Sequence, residues 1–426
     1  MSTTVLRVTE SAPVPRAPRW PPAIWALLGG TFVVRALGYS YPFMAYHLAE
    51  IHFSTQSIGQ ILATFGAGWL AGQLLCGWLA DRIGRRSTLV AAMLLAALVL
   101  PLLAAARAPI AVYGGAFVVG LVYDAPRPVV SAAIADLITE PARRAKINAA
   151  RHFVINVGAA LTGCVGGLLV KPVGMTTLFW ANSAACVTFC AIALRYLDRE
   201  QCRETAARGR GWGRAALRDG RLWLLSLSSL ATLTCAAALF SALPMLMSED
   251  GLDASAYGLT QVANALTVVV ATPLMAPWLS RRADTGAPMV RLLALSAVLL
   301  GVGMGSAALA STTLEYSLAV MLAVPGEIIF FVCADNILNL IAPASARGIY
   351  HGAWGTTLAG AVIVAPAMTA WALGHGGKSL AAASIFTAGL LGAALCLPLA
   401  ALLHRWSAPP ALPASPAAWK PKGADL

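Results

Sequence analysis

Charged residues are scarce throughout this chain. Asp, Glu, Lys and Arg make up 11% of its 426 residues, whereas about 25% is usual in a soluble globular protein. Hydrophobic residues reach 58%, and the mean hydropathy is +0.73. Because the deficit extends over the whole length, it argues against a soluble domain with a single anchor and indicates a polytopic membrane protein.

Several chemical motifs are also missing. The sequence has no phosphate-binding GxxxxGK[ST] loop, which argues against direct ATP drive. It has no HExxH motif, and its 6 histidines are scattered singly. None of the 8 cysteines forms a CxxC pair, which is typical of small packing residues rather than a metal or redox site. We therefore expect no metal, no cofactor and no enzyme, with a membrane-embedded enzyme as a remote alternative.

The net charge of +12 raises the possibility of a nucleic acid partner. The basic residues are not gathered on a soluble domain, however, so their distribution about a membrane explains them better. We expect a lipid bilayer, a small-molecule substrate and a proton gradient as partners, and no nucleic acid. We also expect a monomer in a plasma (bacterial inner) membrane.

Apolar segments of about 20 residues, the length that crosses a bilayer, recur along the chain. The breaks between them predict twelve transmembrane helices in an all-α protein, over 23–48, 56–80, 87–106, 109–137, 149–170, 175–197, 221–247, 255–279, 288–310, 315–341, 350–373 and 379–404. The first apolar run reaches Leu48, too far for a cleavable signal peptide.

The distribution of basic residues predicts the topology. With both termini cytoplasmic, the cytoplasmic segments hold 25 of the 30 Lys and Arg residues, as the positive-inside rule requires. The longest polar segment between spans divides them six and six, and PWLSRR at 277–282 echoes GWLADR at 77–82. This predicts two pseudo-symmetric six-helix bundles at 23–197 and 221–404. The remaining predicted parts are a cytoplasmic N-terminal segment (1–22), a cytoplasmic linker (198–220) and a disordered cytoplasmic tail (405–426).

The turn after the second span reads GWLADRIGRRS at 77–87. We expect Gly77 to allow close approach of a neighbouring helix, Asp81 to meet the positive N-terminal end of another helix, and Gly84 to permit a tight turn. Three arginines in this turn fix the topology and can form ion pairs between helix ends: Arg82, Arg85 and Arg86.

This turn resembles the loop 2–3 signature of the major facilitator superfamily, G-x-L-A-D-R-x-G-R-R. RPVVSAAIADLITEPARR at 127–144, with Asn156 and Gly158, is similar to the span 4–5 region of bacterial drug/proton antiporters. The resemblance implies a transporter whose Asp81 steadies the outward-facing state and whose spans 1, 4, 7 and 10 line a central cavity. The span 5 proline of the antiporters is absent from Thr162–Gly167, and Arg281 occupies the place of Asp81 in the second half.

Ionisable residues within the spans are the candidate functional groups, because each costs at least about 2.5–3.5 kcal/mol to insert unless it pairs or lines a cavity. Arg35, Asp124 and Glu327 fall near the middle of spans 1, 4 and 10, and Arg127 lies one turn from Asp124 on the same face. A carboxyl group in an apolar, partly dry cavity can bind and release a proton near neutral pH. Glu327 is the first candidate for the proton site, since it has no basic neighbour within a turn.

Asp124 is the second candidate for the proton site, although Arg127 favours its ionised form. Arg35 and Arg127 can bind an anionic group, and Tyr39 can stack on a substrate. Equally, Arg35, Asp124 and Arg127 can form an ion-pair network that only stabilises the first bundle and has no part in transport. We interpret Tyr41 as part of an interfacial aromatic belt.

The position of Arg151 at the start of span 5, beside a basic loop, indicates an interface residue. Together these features predict a secondary transporter working by alternating access, first of all a proton-coupled exporter of small organic compounds. The alternative is proton-coupled or facilitative uptake of a small nutrient, for which Arg35 and Arg127 allow an anionic group.

Overall fold

The computed structural model describes residues 20–123, 126–138, 140–197, 218–283, 285, 287–343 and 347–406, and all regular structure in these ranges is α-helical. The first half of the chain forms α1 (Pro22–Ala36), α2 (Ser40–Glu50), α3 (Thr55–Arg82), α4 (Arg85–Ala105), α5 (Pro109–Tyr123), α6 (Pro126–Leu137), α7 (Pro141–Val173) and α8 (Met175–Tyr196). The second half forms α9 (Gly220–Ala237), α10 (Ala242–Glu249), α11 (Ala254–Ala283), α12 (Val290–Ala307), α13 (Thr313–Ile341) and α14 (Arg347–Trp406).

Ten helical stretches among these residues are long and apolar enough to cross a membrane. Their outer surface carries large apolar side chains, such as Ile110, which is 88% exposed, and Leu274 and Leu397, each 74% exposed. Exposed apolar surface on this scale suits contact with lipid rather than with water. The all-helical, multi-spanning fold expected from composition is therefore confirmed.

The first and seventh predicted spans are each broken into two helices. The break between α1 and α2 lies at 37–39, and the break between α9 and α10 lies at 238–241. A break frees backbone carbonyl groups, which need new donors inside a membrane. The Thr162 hydroxyl donates to the Arg35 carbonyl, while Tyr257 Oη donates to the Leu239 carbonyl at 3.3 Å and Gln261 Nε2 donates to it at 3.4 Å.

Glycine sets two of the helix boundaries. Gly174, with φ of 79°, forms the whole turn between α7 and α8. Gly377, with φ of 63° and ψ of −156°, interrupts the 60-residue α14. These backbone conformations are ones that residues with a Cβ adopt rarely. The break between the predicted spans 149–170 and 175–197 and the break between the last two predicted spans both lie at a glycine of this kind.

In the described part of the chain most helices pack against others of their own half, and the main contacts between the halves are those of α2 with α10, α3 with α14, and α7 with α11. Glycines make the last two crossings close. A Cβ at Gly66 would lie 2.8 Å from the Ile363 backbone nitrogen, and a Cβ at Gly167 would lie 2.3 Å from Gly258 Cα. The halves are thus in backbone contact where α7 ends and α11 begins.

Candidate functional site: a cavity between the two halves

A cavity of about 540 Å³ lies between the two halves, within the range of about 300–1,000 Å³ usual for small-molecule sites. Both halves line it, and the helices of predicted spans 1, 4, 7 and 10 all contribute. Its first-half lining includes Arg35, Gly38, Tyr41, Trp69, Tyr123, Arg127, Ser131, Asn148, Arg151, Asn156 and Thr162, and its second-half lining includes Ala236, Phe240, Glu327, Phe331, His351, Trp354, Leu358 and Val362.

The cavity is open at one end and closed at the other. Its lining extends to Asn148 and His351, close to where α7 and α14 begin. There the side chain of His351 is 37% exposed and that of Asp335 is 60% exposed. At the opposite end, the breaks in the first and seventh predicted spans form the roof, where the rings of Tyr41 and Phe240 approach to 6.4 Å between centroids. We call these the mouth end and the closed end.

Above the roof, the closed end is sealed by contacts between α7 and α11. Lys171 Nζ lies 2.6 Å from a carboxylate oxygen of Asp253. The hydrogen bond from Lys171, with another from Ser255, holds the pKa of the Asp253 carboxyl well below its usual range. Because both side chains are at least half exposed, this ion pair contributes at most about 1 kcal/mol. Beside it, the crossing at Gly167 and Gly258 brings the two helix backbones into contact.

Three arginines of the first half form a cationic wall: Arg35, Arg127 and Arg151. Arg35 Nη1 donates to Tyr123 Oη at 3.4 Å, and its guanidinium lies 5.2 Å from the centre of the Tyr123 ring. Arg151 donates to the Ser131 hydroxyl and, at 3.1 Å, to the Arg127 carbonyl. These contacts hold the guanidinium groups of Arg35 and Arg151 along the cavity surface.

Glu327 faces this wall from α13. A Cβ at the preceding Gly326 would lie 3.0 Å from the backbone of α12, so Gly326 lets α13 pack tightly against α12 on one face while Glu327 lines the cavity on another. Among the residues that the structure describes, Glu327 has no hydrogen-bond or ion-pair partner. Asp124, the second candidate for the proton site, lies outside the described residues.

The aromatic lining corrects the sequence-based choice between Tyr39 and Tyr41. Tyr39 is 1% exposed and packs against Phe43 instead of lining the cavity. Tyr41, interpreted above as a belt residue, lines the cavity and stacks on Phe65 with ring centroids 4.7 Å apart. In a continuous helix Tyr39 would share the face of Arg35 and line the cavity with it. The helix break at Gly38 changes which face of the span meets the cavity, so that Tyr41 lines it instead.

The sequence did not group the polar side chains that meet at the mouth end. His351 Nε2 lies 3.1 Å from Asn339 Oδ1, and Asn339 donates to Asp335 at 2.9 Å. Arg151, interpreted above as an interface residue, lines the cavity. No pattern in the sequence shows how far the mouth extends along α7, so the sequence holds no signal that could have found it.

The turn after α3 joins several helices at the mouth end. Arg85 forms an ion pair with Asp136 on α6 at 3.1 Å, and Arg86 donates to the Leu194 carbonyl on α8 at 2.7 Å. Arg82 lies over the Trp78 ring, 4.5 Å from its centre. Gly84 has φ of 97°, the conformation that the tight turn requires. The side chain of Asp81 lies outside the described part of the chain.

Gly77 does not mediate the close helix approach expected from the sequence. No other described atom lies within 4 Å of the position of a Cβ on it, and the same holds for Gly352 and Gly355 on α14. Helices α3 and α14 are in contact at Gly59 and Gly66. Gly77 lies about 16 Å beyond Gly66 along α3, at 1.5 Å per residue, and there the contact has ended. The expectation was wrong for this conformation because the halves part towards the mouth.

Among the residues that the structure describes, no group of three His, Cys, Asp or Glu side chains is placed to hold a metal ion. The side chains that line the cavity supply charge, hydrogen-bonding groups and aromatic faces. These suit reversible binding of a small organic molecule.

Comparison with known proteins relates this geometry to a family. The family model of the Major Facilitator Superfamily matches residues 26–366. An uncharacterized MFS-type transporter of Bacillus subtilis (strain 168), YqjV, is 24% identical over 352 residues, covering 80% of this chain and 84% of its own length. A second uncharacterized MFS-type transporter of the same organism, YcxA, is 26% identical over 189 residues, or 41% of this chain, and the match spans less than half (45%) of its length.

Among solved structures, that of PepTSo, a POT family transporter, superposes with a TM-score of 0.72 at 15% identity, covering 91% of this chain and 99% of that one. At this identity the likeness concerns the fold alone. The family model covers most of the chain, and MFS proteins are transporters and not enzymes, as the sequence predicted. The chain belongs to the Major Facilitator Superfamily and is a secondary transporter.

Proposed function

We propose that this protein is a proton-coupled transporter that works by alternating access and exports small organic compounds, with Glu327 as its proton site. The observation that carries the proposal is the environment of Glu327. It is the only carboxylate among the described lining residues of the cavity, and it has no partner in the described part of the chain. A carboxyl group in such a place can exchange a proton with the cavity.

The proposed topology has twelve spans with both termini cytoplasmic. Helix α14 supplies two of the spans, because 60 residues at 1.5 Å each extend about 90 Å, far more than the roughly 30 Å of a bilayer core. Helices α5 and α6 together supply one span. The bundles are 23–197 and 221–404, and the linker 198–220 and the terminal segments lie in the cytoplasm.

In that topology the mouth end faces the cytoplasm and the closed end faces outwards. The open mouth and the tight α7–α11 crossing then correspond to an inward-open state. Transport requires a second state in which this crossing opens and α3 and α14 meet at the mouth. The cavity lies within one chain, which supports a monomer, and a bacterial inner membrane supplies the proton gradient.

A specific observation favours the second candidate, uptake of a small anionic compound. Three arginines line the cavity against one described carboxylate. A bound anion and an ionised Glu327 repel each other, so an anion and a proton are expected to bind together. This is the linkage of a symporter, whereas a substrate that displaces the proton gives the linkage of an exporter.

Flux measurements on proteoliposomes with an imposed pH gradient of either sign test the proposal. For an exporter, test compounds accumulate on the side from which protons leave; for a symporter, they accumulate on the side to which protons move. The test uses a panel of acidic, neutral and basic compounds. If the pH gradient drives none of them in either direction, proton coupling is contradicted. Labelling a cysteine in 198–220 from each side of intact cells tests the topology, and labelling from outside would overturn it.

A further inference from the structure

From the geometry of the cavity we infer that its ligands are ring-bearing organic acids, with the acid group on the arginine wall and the ring between the aromatic side chains. The inference rests on the proposed transport function and names the substrate class of the same site. It agrees with the uptake candidate, although a transporter can recognise an acid whichever way it moves it.

The charge of the cavity is the first argument. All three arginines belong to the first half, and the described second-half lining has Glu327 as its single carboxylate. If Asp124, outside the described residues, is counted as ionised too, the guanidinium groups still outnumber the carboxylates. Guanidinium is suited to this task, because it can donate two of its five N–H groups to a carboxylate while the others keep their hydrogen bonds.

The position of the aromatic rings is the second argument. Tyr41, Trp69 and Tyr123 line the first-half side of the cavity, and Tyr41 and Tyr123 lie 5.7 Å apart between centroids. Facing them on the second-half side are Phe331 and Trp354. Aromatic walls on both sides suit a flat ring, since offset or edge contacts between rings are favourable by about 0.5–1.5 kcal/mol beyond burial.

The second-half wall is held in place by its own contacts. Trp354 Nε1 donates to the Ser229 hydroxyl at 2.9 Å, and the Trp354 ring stacks on Phe330 with centroids 6.4 Å apart. The indole N–H is therefore satisfied away from the cavity. Leu358 and Val362 continue this wall as an apolar surface. The arginines thus lie only on the first-half side, whereas this stretch of the second-half wall is apolar, and the difference orients a molecule that has one acidic and one apolar end.

Binding of three matched probes to the purified protein in nanodiscs tests the inference: 2-naphthoate, 2-naphthamide and 2-naphthylmethylammonium. At pH 7 we expect the carboxylate to bind at least about tenfold more tightly than the amide, as a charge-assisted hydrogen bond implies, and the ammonium to bind most weakly. Equal or tighter binding of the ammonium overturns the inference, as does failure of all three probes to bind.

Arginine variants identify the site. Arg127→Gln and Arg35→Gln should each weaken naphthoate binding at least about tenfold and naphthamide binding less than about twofold. Arg127→Lys and Arg35→Lys keep the charge and should retain most of the preference for the carboxylate, which also covers the case in which a Gln variant folds poorly. Arg281→Gln, outside the cavity lining, is the matched control. Equal losses for both probes in the Gln variants contradict the arginine wall.

The two proposals fail in different ways. If naphthoate binds selectively but no compound moves under a pH gradient, proton-coupled transport is wrong and the ligand class stands. If neutral or basic compounds move with the gradient and naphthoate does not bind, the ligand class is wrong and transport stands.

Discussion

The crossing of α7 and α11 at the closed end allows a sharp test of alternating access. In Gly167→Ala, the new methyl group would lie 2.3 Å from Gly258 Cα and 3.1 Å from its nitrogen. Because two carbon atoms without a bond approach favourably only to about 3.5–4.0 Å, the helices must separate by about 1.5 Å. Backbone lies on both sides of the contact, so no side chain can move away to relieve it.

Overpacking of this kind costs about 1–3 kcal/mol. The cost applies only while the closed end is closed, since the two glycines belong to different halves of the chain. It therefore shifts the equilibrium towards the conformation that is open at this end by about 5- to 150-fold.

Spin labels at 173 and 259, in a background without native cysteines, report the separation of α7 and α11 by pulsed electron resonance. The long-distance population should rise in Gly167→Ala. In Gly114→Ala it should not change, because nothing described lies within 4 Å of that Cβ position. Gly120→Ala places its Cβ 2.0 Å from the Phe65 carbonyl oxygen within the first half, so it should lower thermal stability without changing the distances. An unchanged distribution in Gly167→Ala would refute the reasoning.

Three further predictions concern single side chains. Glu327→Gln should abolish flux driven by a pH gradient but leave exchange of substrate intact. Glu315→Gln, at the start of α13 and far from Glu327 along the helix, should keep both activities. Gradient-driven flux in Glu327→Gln would exclude this proton site. Lys171→Ala or Asp253→Asn should change the ratio of long-distance to short-distance populations of the 173–259 label pair by less than about fivefold, because an exposed ion pair contributes little. Since the pKa of Asp253 is lowered by the bond from Lys171, its carboxylate stays ionised and this pair stays intact from pH 8 to 5; loss of the pair in that range would contradict the assignment. Gly84→Ala should lower the free energy of unfolding by about 1–3 kcal/mol, because its φ of 97° and ψ of 154° lie in a region open essentially to glycine alone. An unchanged melting temperature would count against a strained turn.

Hydropathy and the distribution of charge were sufficient to predict the membrane-spanning, all-helical fold. Both follow from the physics of the bilayer, which acts on each segment separately. The same physics brought Arg35 and Glu327 to attention, because a charge inside a span is costly unless it lines a cavity or pairs. The structure does place both side chains on one cavity.

What the sequence missed depends on how segments meet. Tyr41 was assigned to an interfacial belt, and the assignment was wrong because the helix break at Gly38 changes which side chains face the cavity. Arg151 was assigned to an interface because nothing in the sequence reveals how deep the open mouth extends along α7. Gly77 was expected to touch a neighbour, and that contact depends on which end of the protein is closed. Single-sequence patterns describe a segment and its solvent, but not the relative position of the two halves of the chain.

The most direct test of the central claim is to measure both ends of the protein together. One label pair at 173 and 259 reports the closed end, and a second pair at 77 and 352 reports the mouth, where both glycine positions have room for a side chain. Alternating access about the cavity of Arg35 and Glu327 predicts that, when pH is changed or a transported compound is added, one distance lengthens as the other shortens. If the two distances stay fixed, or lengthen and shorten together, the protein does not work in the way proposed here.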